Sequence, residues 1–182
     1  MMKKTETTIL EAGFTVFSAN PTATLLDVAQ EAGIGRATLH RYFKGREDLM
    51  AALAMAAMKE LDAAVEQATR NAQSHTEALR LSLDAMIPLA DRQMFLANEP
   101  LDHVPQVLEA YNRQLEELAE AVDAAKDEGG FDRTVPTSWI VQAYETLTYA
   151  AWAVVQDEQV SPEEAAELMW RTLQSGIGGS KR

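Results

Sequence analysis

Two short helical patterns joined by a glycine constrain this chain of 182 residues more than any other feature. From Thr24 to Leu49 it reads TLLDVAQEAGIGRATLHRYFKGREDL. Leu25, Val28, Ala29 and Ala32 fall at i, i+3, i+4 and i+7, which predicts a helix with one apolar face. Thr24 stands just before them as a helix-start residue. Asp27, three positions on, is placed to reach back to the Thr24 amide. Gly33 follows the last apolar position, where a left-handed stop would penalise a Cβ, and Ile34 plugs the turn. A second short helix is expected from about Arg36 to Phe43. Leu39 and Phe43 form its inner face; Arg36, Thr38, His40, Arg41 and Tyr42 form its outer one.

A helix, a glycine turn and a short helix dense in cationic and hydrogen-bonding side chains make a helix-turn-helix pattern. In such a unit the second helix enters the DNA major groove with its N-terminal residues toward base edges. Taken alone, the pattern also suits a helical hairpin whose polar residues are a solvated face.

The residues go further, because AGIGRATLHRYFKGREDL resembles the recognition segment of the tetracycline-repressor (TetR) family, whose usual form is close to AGVSKGTLYRYFKSKEEL. The upstream residues agree, with Ile9, Leu10, Ala12, Val16 and Phe17 on a first helix and a turn at Ala19-Asn20-Pro21. The remainder of the chain matches only in length and helical character. Four positions depart from the family form. Gly35 stands where Ser is common, so the recognition helix lacks a side-chain cap. His40 replaces a frequent Tyr, Asn20 replaces a Gly, where Asn tolerates the left-handed region, and Leu26 replaces a polar residue.

Charge is distributed to suit this reading. The net charge is −12, which opposes phosphate. Residues 1–50 hold six cationic and six acidic groups, whereas residues 51–182 hold ten cationic and twenty-two acidic groups and so carry the whole excess. Arg36, Arg41, Lys44 and Arg46 cluster in one short stretch. An acidic body repelled by DNA and a cationic tip attracted to it would orient the molecule.

Strand signals are nearly absent, and Ala, Leu, Glu and Gln dominate, so an all-α chain of about nine helices is expected. A long helix should run from Arg46 to about Arg70, striped by Leu49, Leu53, Ala57, Leu61, Ala64 and Ala68, as a lever between the two parts. Ser74-His-Thr-Glu77 reads as a second capping box, opening a helix with Leu79, Leu83 and Met86 on one face, and Pro88 should kink or end it. Val107, Leu108, Tyr111, Leu115, Leu118 and Val122 stripe another helix, stopped by Gly129-Gly130. Residues 137–156 are apolar almost all round, so they need cover on more than one side. Ser161-Pro162-Glu163-Glu164 is a strong helix start, followed by a stripe of Ala165, Leu168, Met169, Thr172, Leu173 and Gly176. Two such helices from each of two copies would build a four-helix dimer interface, as the family resemblance also implies. The other reading is that they form the core of a monomer.

The domains expected are a three-helix DNA-binding unit over residues 1–48 and a ligand-binding and dimerisation unit over residues 49–182. In the DNA site Arg36 and Thr38 are expected at base edges, with Arg preferring guanine. Thr24, Tyr42, Lys44 and Arg46 are expected on phosphates, and His40 on a phosphate or a thymine methyl. Gly35 and Arg41 complete the set. In the body Met58, Met86, Met94, Phe95, Tyr111, Trp139 and Tyr144 are candidates to line an apolar cavity, although such residues more often simply fill a core. The resemblance implies a small effector there whose binding releases DNA. An apolar or aromatic effector is expected, a cationic one being the variant that the acidic body allows.

Nothing points to catalysis. His40, His75 and His103 are scattered, and there is no HExxH, no Gly-rich phosphate loop and no paired-His metal spacing. No cofactor and no metal are expected. With no cysteine, no apolar leader in MMKKTETT and no run long enough for a membrane span, a cytoplasmic protein is expected. The reading is a ligand-responsive repressor binding a palindromic operator as a homodimer. The alternatives are a DNA-tethering protein without an effector, or an activator.

Overall fold

The computed structural model describes residues 2–90, 92–93, 99, 101, 103–157 and 159–177. Among them stand eight α-helices and no strand: α1 (Met2–Ala19), α2 (Leu25–Glu31), α3 (Arg36–Tyr42), α4 (Arg46–Thr69), α5 (His75–Met86), α6 (Pro105–Asp127), α7 (Thr137–Gln156) and α8 (Pro162–Ile177). A 3-10 turn, Ile87–Leu89, follows α5 and contains Pro88.

Local chemistry sets the first boundaries. The Thr24 hydroxyl accepts from the Asp27 amide at 3.3 Å, while the Asp27 carboxylate accepts from the Thr24 amide at 2.7 Å, so the capping box forms. That backbone hydrogen bond, followed by one from the Thr24 hydroxyl, holds the Asp27 carboxyl below its ordinary value. Gly33 turns the chain at φ 64°, in the left-handed region. Gly35 precedes α3 with extended backbone and no side-chain cap.

These four N-terminal helices close on one core. Ile9 and Phe17 of α1, Val28 of α2, Leu39 of α3, and Leu49 and Leu53 of α4 are fully buried in it. Leu101, Val104 and Val107, at the entry to α6, pack into the same cluster. The head is therefore floored by residues from the body, and its core runs along α4 as far as Ala57. With 24 residues, α4 is about 36 Å long.

A second core binds α5 to α8 and includes Leu83, Ile87, Val122, Phe131, Ile140 and Leu173. Ser74 caps α5 by accepting from the Glu77 amide at 3.0 Å. The Glu77 carboxylate reaches past Ser74 to the Gln73 amide at 2.6 Å, so the second box is shifted by one residue from the expected reciprocal pair. Glu128, just beyond α6, closes the gap: its carboxylate accepts from the amides of His75 and Thr76, at 3.0 and 3.2 Å, and meets the His75 ring at 2.8 Å. Gly129 then ends the turn at φ 84°.

Two expected stripes divide. On α6, Val107 and Val122 are buried, whereas Leu108 and Tyr111 are 41% and 42% exposed. On α8, Ala165, Met169 and Leu173 point inward at four-residue spacing, and Leu168, Thr172 and Gly176 lie exposed at the same spacing on a second face. The all-round apolar α7 likewise turns Ile140, Tyr144, Thr148 and Ala151 inward and leaves Trp139, Tyr149 and Ala150 exposed.

Candidate DNA-reading surface and body cavity

The outer side of α3 is the cationic tip. Arg36, His40, Arg41 and Lys44 are exposed, Thr38 and Tyr42 are half-buried beside them, and Leu39 and Phe43 anchor the helix in the core. Arg36, Arg41 and Lys44 make no ion pair among the described residues, so their charge faces solvent. Arg36 Nε stands 3.4 Å from His40 Nε2, one turn along the same face, an approach that needs Nε2 unprotonated. Gly35 leaves open space in front of the first turn of α3.

Two residues expected on phosphates have hydrogen-bond partners within the head. Arg46 donates from Nη1 to the Ala23 carbonyl at 2.7 Å and from Nη2 to the Pro21 carbonyl at 2.6 Å. Its guanidinium lies 4.4 Å above the Phe17 ring, with Glu99 at 3.8 Å. Its donors thus brace the turn between α1 and α2, because that turn offers carbonyls that α-helical bonding leaves unmade. Thr24 is exposed, yet its amide and hydroxyl proton both go to Asp27.

Among the described residues, polar side chains join the head to the body. Arg92 bridges Glu11 of α1 at 2.8 Å and Glu60 of α4 at 2.6 Å, with its guanidinium over the Phe14 ring. His103 meets Glu47 at 3.2 Å, and Glu99 meets Arg46.

Beneath the head, α4, α5, α6 and α7 line a cavity of about 1220 Å³ that opens to solvent. Met58, Met86, Tyr111 and Tyr144 are among the residues that line it. Trp139 does not: it is 64% exposed on the outer face of α7, about 140° round the helix from Tyr144. Met94 and Phe95 lie outside the described residues. Trp152, Tyr149 and Glu145 also line the cavity, and sequence reasoning missed all three. A signal existed for Trp152, since Tyr144, Thr148 and Trp152 repeat at i, i+4 and i+8 on one face.

Hydrogen bonds fix the rings. Tyr144 donates to the Leu79 carbonyl at 2.9 Å and Trp152 Nε1 to the Met86 carbonyl at 3.0 Å. Burial pushes the Tyr144 phenol far up, so it stays neutral. Tyr111 donates to the Glu145 carboxylate at 2.9 Å; burial first, then that hydrogen bond, pushes its phenol up to about 12. Among the described residues no group of three or more acidic or histidine side chains is placed to hold a metal ion, and no helix is long and apolar enough to cross a membrane.

The head matches the model of bacterial regulatory proteins of the tetR family over residues 9–53. The HTH-type transcriptional repressor LfrR of Mycolicibacterium smegmatis is 30% identical over 176 residues, covering 96% of this chain and 91% of that protein. The chain belongs to the tetR family. Its whole fold is that of tetR-family regulators: the crystal structure of the TetR-like regulator LfrR from Mycobacterium smegmatis in complex with proflavine superposes with a TM-score of 0.82 at 28% identity, covering 97% of each chain. A second LfrR crystal structure gives 0.64 at 27% identity, over 93% of this chain and 97% of that one. The tetR-family head is thus α1 to α3 with the start of α4, and this protein is a transcriptional regulator built on a helix-turn-helix.

Proposed function

We propose that this tetR-family protein is a repressor that binds a palindromic operator as a homodimer and leaves it when a small apolar or aromatic effector fills the cavity. One observation carries the reading. Ala54, Leu101 and Val107 line the cavity and also belong to the head core, and Glu99 lines the cavity while pairing with Arg46 of the head. A ligand that displaces these residues acts on both compartments, and by linkage operator DNA must weaken that ligand in turn.

The parts divide as residues 1–48 for DNA and residues 49–182 for effector and partner. Arg36 and Thr38 read base edges, and Tyr42, Lys44, Arg41 and His40 meet the backbone around them. The second copy docks on residues 137–156 and 162–177, where α7 and α8 leave Trp139, Ala150, Leu168 and Gly176 exposed. One short helix reads few base pairs, so two heads about one helical turn apart are needed for a palindrome. The naming of LfrR as a repressor and its complex with proflavine support repression and an aromatic effector. The unequal match of the two LfrR structures to this chain supports a fold with more than one arrangement. The reading is non-enzymatic and cytoplasmic.

DNA release tests it. The protein is bound to fluorescent DNA from beside its own gene, and planar aromatic compounds, proflavine among them, are titrated while anisotropy is read. Saturable release by at least one compound is expected. Unchanged anisotropy across the series would contradict a ligand-responsive role and leave DNA tethering.

A further inference from the structure

We propose that the effector is an aromatic cation and that Glu145 is the carboxylate that receives its charge, facing a cavity wall of tyrosine and tryptophan rings. The proposal rests on the ligand-responsive reading above and specifies its ligand class.

Glu145 is the single charged residue in the 20 of α7. It is half-buried on the cavity wall and pairs with no cation among the described residues. The Tyr111 hydroxyl donates to it at 2.9 Å. Other acids around the cavity are matched or solvated. Asp62 meets Arg113 at 2.7 Å, Glu117 meets the same guanidinium at 3.5 Å, and Glu99 meets Arg46 at 3.8 Å. Glu66 is exposed.

A carboxylate offers about four lone-pair sites, and Tyr111 takes one. Water can serve the rest while the cavity is empty of ligand. A neutral occupant displaces that water and leaves the charge poorly solvated, which is costly. An anion adds repulsion. A cation restores the balance, and in a partly desolvated site the pairing exceeds that of an exposed ion pair. The rings of Tyr111, Tyr149 and Trp152 add faces that attract a flat cation. Tyr111, kept protonated, serves as a donor that orients the carboxylate without adding charge of its own.

The probes are 10-methylacridinium and 9-methylanthracene, two molecules of the same shape that differ in charge. Direct binding is read by quenching of protein fluorescence without DNA, for wild type, Glu145→Gln and Tyr111→Phe. Methylacridinium is expected to bind wild type saturably and Glu145→Gln at least about ten-fold more weakly. Tyr111→Phe, which keeps ring and carboxylate but removes the orienting donor, should bind methylacridinium with an affinity between those of wild type and Glu145→Gln, and methylanthracene should bind Glu145→Gln at least as tightly as wild type, because no charge is left to desolvate. Equal methylacridinium affinity for wild type and Glu145→Gln, tighter binding of methylanthracene to wild type, or no saturable methylacridinium binding would overturn the proposal. DNA release is then compared between wild type and Glu145→Gln, so that intercalation, common to both, cancels. Release by methylanthracene alone would sustain the ligand-responsive reading and sink the cation. Glu145-dependent binding without release would sustain the site and sink the release mechanism.

Discussion

Arg36 and Arg46 are both cationic, both near the recognition helix, and differently employed. Arg36 projects from the first turn of α3 with no acid against it, so Arg36→Ala should cost about 1–3 kcal/mol on the preferred operator and flatten the ranking of operator variants. Lys44→Ala, by contrast, should weaken every sequence alike and make the salt slope shallower by about one, the share of a single neutralised phosphate. Anisotropy titrations across operator variants and salt concentrations separate the two; an unchanged ranking in Arg36→Ala would remove it from the base edges. Arg46 grips the Pro21 and Ala23 carbonyls, so Arg46→Ala should lower the unfolding free energy by about 1–2 kcal/mol in urea titrations without DNA. The Thr24–Asp27 box and the left-handed Gly33 were legible in the sequence because both are local. The role of Arg46 was not, since its acceptors are backbone atoms of a turn far back in the chain, and sequence shows a charge without showing what it meets.

At the scale of elements, the join between α5 and α6 depends on Glu128. Backbone hydrogen bonding from His75, its largest cause, holds that carboxyl down at about 2, against an ordinary 4.5. A carboxyl depressed in the folded state stabilises it above the unfolded value and loses that contribution as pH falls through the folded one. The stability gap between wild type and Glu128→Gln should therefore be full above about pH 4.5 and close toward pH 2, read by urea unfolding at stepped pH; a gap independent of pH would show that the clamp acts without its charge. Next to it, Gly130 leaves no room: an added Cβ would fall 2.0 Å from Thr76 Oγ1 and 3.0 Å from its Cβ, so Gly130→Ala should destabilise the same join. Periodicity found nearly every helix, since each apolar repeat is strong. It merged faces that the fold separates. Leu168 and Met169 are neighbours on a single sequence stripe, yet one faces out and the other in. Leu108 and Tyr111 read as core positions because an apolar wall around a cavity has the same sequence period as a packed seam.

For the whole molecule, the proposed dimer rests on the exposed faces of α7 and α8 and on the paired demands of a palindrome. Leu168→Glu puts a charge on a face that is exposed in the single chain and buried in the proposed dimer. The fold should survive, sedimentation should show a monomer, and operator affinity should fall by about two orders of magnitude or more. Dimeric Leu168→Glu would move the interface elsewhere. The charge segregation seen in the sequence belongs to this scale too: a cationic tip under an acidic body makes binding orientation and salt dependence inseparable. The cavity was legible only in its residue types, because its shape arises where four helices meet and no single stretch of sequence contains it. The central claim is selective DNA binding by this head, and anisotropy titration tests it most directly. The full-length protein is titrated onto the intergenic DNA beside its gene and onto a scrambled duplex, each at two salt concentrations. Tight, salt-sensitive binding to the intergenic DNA and much weaker binding to the scramble are expected. Equal, weak binding to both would contradict the account.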